Sequence, residues 1–317
     1  MTAVERPDRA GPARRRCLAA ALAVATAFLL AATTVAPRAA AQSLVLGAKD
    51  FTEQLLVAEM TTQLLRAKGF TVHVGAGFTT GGVRRAHEAG VVDVYWEYTG
   101  TSLTAFHGIR DKLAPEEAFA RVKQLDAQKG LVWLRPSRVN NTYGLAMRRA
   151  DAAKRGIASI SDLAAKARGG ERFTLATNGE FLVRPDGLGP LQRAYGFAFE
   201  PDAVTTMATG TVYDVLRRSS SFDVGVVFAT DGRVPAFDLV LLQDDRDFFP
   251  SYLLAPVVRR TTLDRHPELA PLLEALSARL DDATMANLNA LVDVHKRGID
   301  DVAAEFMRST GLLTPQP

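Results

Sequence analysis

Lys49, Tyr98, Thr101, Arg184 and Phe228 lie just beyond predicted strand ends. In an α/β protein, ligands sit in the crevice past the carboxyl ends of strands, where the first N–H groups of the next helix are unpaired. If two sheets present those ends to each other, the five residues converge on one cleft. A lysine, an arginine, a threonine hydroxyl and aromatic rings suit a small ligand with one carboxylate and one bulky cation. The carboxylate takes charge-assisted donors, and arginine can offer it two N–H groups at once. A quaternary ammonium has no N–H to donate, so ring faces are its natural partners, each worth roughly 0.5–2 kcal/mol.

Taken singly, each residue also has a purely structural role. A ring after a strand more often packs into the core than touches a ligand, and Trp96 is expected to do so. Lys49 and Arg184 could pair with acids such as Glu53 or Asp186. Only the shared position at strand ends raises the set above that. Other chemistry finds no support. Asp93, Glu97, Glu180, Asp231, Asp244 and Asp245 show no spacing that selects an acid–base pair, and the five histidines are scattered without metal-ligand spacing. Neither a G-x-S-x-G elbow nor a phosphate-binding glycine pattern is present.

The elements that must position these groups alternate. Leu44–Ala48 reads as a strand, and Thr52 as the cap of a helix over 53–67 that stops at Gly69. A strand over 70–74, a glycine-rich turn over 75–82 and a short helix over 83–89 lead to a strand over 91–95. That strand runs into the stretch DVYWEYTGTS, residues 93–102. A helix follows over 115–129, then a strand over 131–134. Ser159 and Asp162 form a capping box for a further helix, and strands over 173–176 and 222–228 mark a second α/β unit. Apolar runs over 237–242 and 252–258 read as strands, and the rest is helical, about 267–280, 283–294 and 299–307. Such alternation predicts parallel sheets covered by helices, in two closely connected lobes.

The chain has 317 residues, 47% of them hydrophobic and 23% charged, an ordinary globular balance. Arg14–Arg16, an apolar run over 18–32 and Ala39–Ala41 have the layout of an export signal, with cleavage expected after Ala41. The paired arginines leave the choice between Sec and Tat routes open. That leader holds six arginines against Glu5 and Asp8, so without it 32 basic residues face 33 acidic ones. The basic excess therefore belongs to the leader and does not argue for nucleic acid. Cys17, the one cysteine, leaves with it, so no disulfide and no cysteine nucleophile is expected.

Six motifs then resemble one family in the same order along the chain: GAKDFTEQ (47–54), DVYWEYTGTS (93–102), NNTYGLAM (140–147), RPDGLGPLQRAYGF (184–197), VVFATDGRVPAFDLVLLQDD (226–245) and FFPSYLLAPVVR (248–259). The family is that of substrate-binding proteins of osmoprotectant ABC importers, which take glycine betaine, choline or carnitine. The resemblance implies a type II, two-lobed periplasmic-binding-protein fold, with lobe one over 43–142 plus 253–317 and lobe two over 143–252. It implies an aromatic box of Tyr98, Tyr143, Phe228 and Tyr252, with Lys49, Thr101 and Arg184 on the carboxylate. Asn141 stands where some relatives place an acid near the cation, and Phe228 where some have tyrosine. Tyr143 and Tyr252 come from the resemblance alone. The expected protein is an exported, monomeric, non-catalytic binding protein without cofactor or metal, partnered by an ABC permease and not by nucleic acid. Alternatives are a binding protein for another small zwitterion or amino acid, as a sensory subunit for instance, and an enzyme on the same scaffold.

Overall fold

Short apolar runs alternating with amphipathic helices build two five-stranded sheets in the computed structural model, which describes residues 43–313. The expected export leader, with Cys17 and Ala41, lies outside the described residues. In the first unit, β1 (Ser43–Lys49), α1 (Thr52–Ala67), β2 (Thr71–Phe78), α2 (Thr80–Glu88) and β3 (Val94–Tyr98) alternate, followed by α3 (Pro115–Ala127) and β4 (Leu131–Trp133). The chain then crosses to the second unit. It comprises β5 (Tyr143–Arg148), α4 (Arg149–Arg155), α5 (Ile160–Arg168), β6 (Leu175–Thr177), α6 (Gly179–Val183), α7 (Leu188–Tyr195), β7 (Val204–Thr206), α8 (Thr209–Arg218), β8 (Val224–Phe228), α9 (Arg233–Ala236) and β9 (Leu239–Leu241). It returns as β10 (Leu254–Arg259) and ends in α10 (Arg260–Arg265), α11 (Leu269–Ser277), α12 (Asp282–Asp293) and α13 (Ile299–Ser309).

The strand orders are β2-β1-β3-β10-β4 and β7-β6-β8-β5-β9, the same plan twice. Neither sheet is wholly parallel, contrary to the expectation from alternation. β10 runs antiparallel to β3 and β4, and β5 antiparallel to β8 and β9. The physical reason lies in the crossings. A helical crossover within one sheet returns the chain in the direction it left. β5 and β10 instead arrive from the other unit, entering at the edge that faces it. Their amino-terminal ends therefore share an edge with the carboxyl ends of β8 and β3: Tyr143 is opposite Phe228, and Leu254 is opposite Tyr98. The two crossing segments pair with each other, Leu254 N–H donating to Val139 O at 3.0 Å and Asn141 N–H to Tyr252 O at 3.3 Å.

Several local expectations shift for reasons visible in side chains. Thr52 does not cap α1; it lies inside the first turn and its hydroxyl donates to Asp293 Oδ1 of α12 at 2.7 Å. The expected glycine-rich turn over 75–82 is divided between strand and helix, since β2 runs on to Phe78 and α2 starts at Thr80, capped by Thr79, whose hydroxyl accepts from Gly82 N–H. β3 begins three residues late because Asp93 is held by its side chain: Oδ2 accepts from Val45 N–H at 2.9 Å and Oδ1 from the Thr262 hydroxyl at 2.7 Å. The capping box of Ser159 and Asp162 opens α5 as expected.

The core is split by the period of β3. Trp96 and Tyr98 face the cluster containing Leu56, Val57 and Met60 of α1, whereas Tyr95 faces Val122 and Trp133 on the other side. Trp96 is buried, and its indole N–H donates to Thr61 Oγ1 at 2.9 Å, which gives the expected packing role a concrete partner.

Candidate ligand-binding site

The facing edges of the two sheets enclose a pocket of about 220 Å³. All eight residues singled out from the sequence line it: Lys49, Tyr98, Thr101, Asn141, Tyr143, Arg184, Phe228 and Tyr252. Lys49 ends β1, Tyr98 ends β3 and Phe228 ends β8. Thr101 lies in the helical turn Thr99–Thr101 after β3, and Arg184 caps the carboxyl end of α6. Asn141 and Tyr252 sit on the paired crossing segments, and Tyr143 opens β5.

Tyr143 and Tyr252 lie at the amino-terminal ends of strands, where a pattern of residues beyond carboxyl ends does not reach. In an antiparallel strand the residues at the amino-terminal end occupy that same edge. Phe51, two residues past Lys49, was missed altogether, though it also lines the pocket. Its ring stacks between Phe228 at 5.6 Å and Tyr98 at 6.3 Å. Tyr143 lies 4.7 Å from Phe228 and 6.0 Å from Tyr252. These five rings form one contiguous wall, and Phe78 at the end of β2 lines the pocket as a sixth aromatic residue. An aromatic residue so near a strand-end lysine was the available signal for Phe51.

Neither cation is free. Lys49 is ion-paired with Glu97 at 2.5 Å, not with Glu53, and its ammonium sits 5.0 Å from the Tyr98 ring centre. One of its three N–H groups is thereby used, which leaves the others for the pocket. Arg184 holds Asp186 through Nε at 2.8 Å and Nη2 at 2.9 Å, and Glu180 through Nη1 at 3.0 Å. Its guanidinium also lies 5.2 Å from the Tyr143 ring centre and 5.8 Å from that of Tyr252. The aromatic rings and the arginine are thus adjacent, and the Tyr252 hydroxyl donates to Asp186 beside the arginine. The phenols remain protonated: burial pushes Tyr98, Tyr143 and Tyr252 up, and the Glu53 charge adds to the effect at Tyr98.

Behind Tyr98 lies Glu53, a carboxylate that sequence reasoning treated only as a partner for Lys49. It is 2% exposed and accepts four hydrogen bonds. Burial raises its pKa, and its bonds to Thr230, Tyr98, Asn289 and Asn141 oppose that rise. Among the described residues, no group of three or more His, Cys, Asp or Glu could hold a metal ion.

Two α/β units of like topology, joined by two crossings and enclosing one site between facing strand ends, define the two-lobed periplasmic-binding-protein fold. Residues 42–309 match the family described as the substrate binding domain of ABC-type glycine betaine transport systems, and the chain belongs to it. It is 43% identical over 281 residues to the glycine-betaine-binding protein of Pseudomonas aeruginosa, covering 87% of this chain and 90% of that one. It is 33% identical over 291 residues to the glycine betaine-binding protein YehZ of Escherichia coli, covering 89% and 95% respectively. The solved apo structure of YehZ superposes with a TM-score of 0.64 at 32% identity, over 87% of this chain and 100% of that one.

Proposed function

We propose that this protein captures a quaternary-ammonium osmolyte, glycine betaine or a close analogue, outside the cytoplasm and delivers it to an ABC permease. The observation that carries the reading is a single pocket gathering six aromatic rings with Lys49, Thr101 and Arg184. The rings would surround the trimethylammonium group, which needs π faces and no acceptors. Lys49, the Thr101 hydroxyl and Arg184 would hold the carboxylate. Asn141 would border the cation.

Lobe one would comprise 43–142 and 253–317 and lobe two 143–252, closing about the paired crossings when ligand selects the closed form. The protein would act as a monomer without enzymatic activity and without nucleic acid, after export and cleavage near Ala41. Isothermal titration with glycine betaine, proline betaine, choline, carnitine and an ordinary amino acid tests the reading. Heat with the quaternary ammonium compounds and none with the amino acid is expected. Silence with every quaternary ammonium compound would refute it.

A further inference from the structure

We propose that Glu53 is a positioning residue of the ligand site: its buried carboxylate sets the aim and electron density of the Tyr98 ring and ties that ring to the opposite lobe. The inference rests on the quaternary-ammonium reading above and assigns a role to a group that does not touch the pocket itself. Oε1 accepts from the Tyr98 hydroxyl at 2.8 Å and from Asn141 Nδ2 at 2.9 Å, both pocket-lining residues. Oε2 accepts from the Thr230 hydroxyl at 2.6 Å and from Asn289 Nδ2 at 3.2 Å. The four donors come from the end of β3, a crossing segment, the turn after β8 and α12.

Both amides are oriented independently of Glu53. Asn289 Nδ2 also donates to Thr230 O at 3.0 Å, and Asn141 Oδ1 accepts from Thr230 N–H at 3.5 Å. Each therefore presents N–H to the carboxylate, and an ionised carboxylate, which is acceptor-only, matches four donors. A phenol donating to an anion shifts density toward its ring, and hydrogen bonds in a dry site polarise one another. The Tyr98 face thereby gains attraction for a cation, while the same anion holds Thr230 of the second lobe in place. Glutamine at this position has one acceptor oxygen and an NH2 group, so it cannot satisfy four donors.

Titrations of the wild type, Glu53→Gln, Tyr98→Phe and the double variant with glycine betaine, choline and the neutral carbon isostere of choline, bearing tert-butyl for trimethylammonium, test the proposal. Glu53→Gln is expected to weaken both cations by roughly five- to thirty-fold and the neutral isostere by less than about twofold. The double variant is expected to bind within about twofold of the weaker single one, because both changes break the same link. Unchanged cation binding in Glu53→Gln, equal losses for cation and isostere, or additive effects would each overturn the proposal. Should Glu53→Gln not fold, Tyr98→Phe alone must show the same selective loss, and wild-type binding by it would overturn the idea. If the wild type binds neither cation, the quaternary-ammonium reading fails. The role of Glu53 is then judged without ligand, by unfolding: coupling between the two substitutions sustains the link, and additivity removes it.

Discussion

Arg184 makes three hydrogen bonds to carboxylates before any ligand arrives, two to Asp186 and one to Glu180. One of its Nη1–H groups stays uncommitted, so a ligand carboxylate would join an existing ion cluster instead of meeting a bare charge. Burial opposes the charge, but the hydrogen bonds and negative charge of Asp186 more than offset that and keep the guanidinium firmly protonated. Arg184→Ala therefore has two separable consequences. Asp186 loses its counter-ion while keeping donors from Thr104 and Tyr252, so a loss of about 3 kcal/mol in unfolding free energy is expected, at the lower end for breaking a buried pair. Titration of the folded variant should show glycine betaine weakened roughly tenfold more than choline, since only the former carries a carboxylate. Equal weakening of the two would remove Arg184 from the carboxylate end. The residue's type was readable in the sequence, but its expected place just beyond a strand end was not borne out: β6 ends at Thr177, and Arg184 follows the helix α6. Its partners were readable only as candidates, because proximity between Arg184, Asp186 and Glu180 depends on the turn that follows α6.

At the scale of elements, what was legible divides along strand direction. Lys49, Tyr98, Thr101 and Phe228 follow parallel strands whose carboxyl ends are visible as the close of an apolar run. Tyr143 and Tyr252 precede strands that enter from the other lobe, and no local pattern announces an antiparallel entry. The long helices were legible because their periodicity and stop signals are local, as with α1 ending at Gly69 in a left-handed conformation. The contact of α2 with β3 was not, and it carries an acid-sensitive group. His87 of α2 is buried against the Tyr95 ring at 4.9 Å, with Nε2–H donating to Asp93 O at 3.2 Å and Nδ1 without a partner. Burial, with the charges of Arg84 and Arg259, lowers its pKa to about 4 from an ordinary 6.5, against the opposing pull of the Asp93 carbonyl. The unfolded chain thus binds a proton between those values that the folded one refuses. The stability involved is complete above pH 6.5 and is lost as pH falls toward 4. Wild type should lose roughly 2–3 kcal/mol over that window from this group, and His87→Phe, which keeps a ring over Tyr95, should show a flatter slope. Matching slopes in denaturant melts across the window would assign the acid sensitivity elsewhere.

Across the whole molecule, the pocket is closed by bonds that join the two sheets at its mouth as well as at its floor. At the floor, Glu53 reaches Thr230, and Arg233 reaches Asp293 of α12 at 3.3 Å. At the mouth, the hydroxyl of Thr80, the first residue of α2, donates to Glu180 Oε2 at 3.0 Å, and deeper, between buried side chains, that of Thr104 donates to Asp186 Oδ2 at 3.0 Å. Glu180 and Asp186 are the acids that hold Arg184, so mouth and site share the same charges. If ligand binding and lobe closure are one equilibrium, weakening a mouth bond should act on release more than on capture, because encounter occurs with the lobes apart. Thr80→Val removes one hydroxyl donor at nearly constant volume, and a net loss of about 0.5–1.5 kcal/mol corresponds to a dissociation rate faster by roughly two- to tenfold. Stopped-flow measurement should find that change in release with association nearly unaltered. Small-angle scattering should give a smaller radius of gyration for the wild type at saturating glycine betaine than without it. A slower association at unchanged release would mean that Thr80 helps to admit the ligand and does not hold the lobes shut. An unaltered radius would mean that the protein binds without moving, and the hydrogen bonds at its mouth would then belong to the resting state.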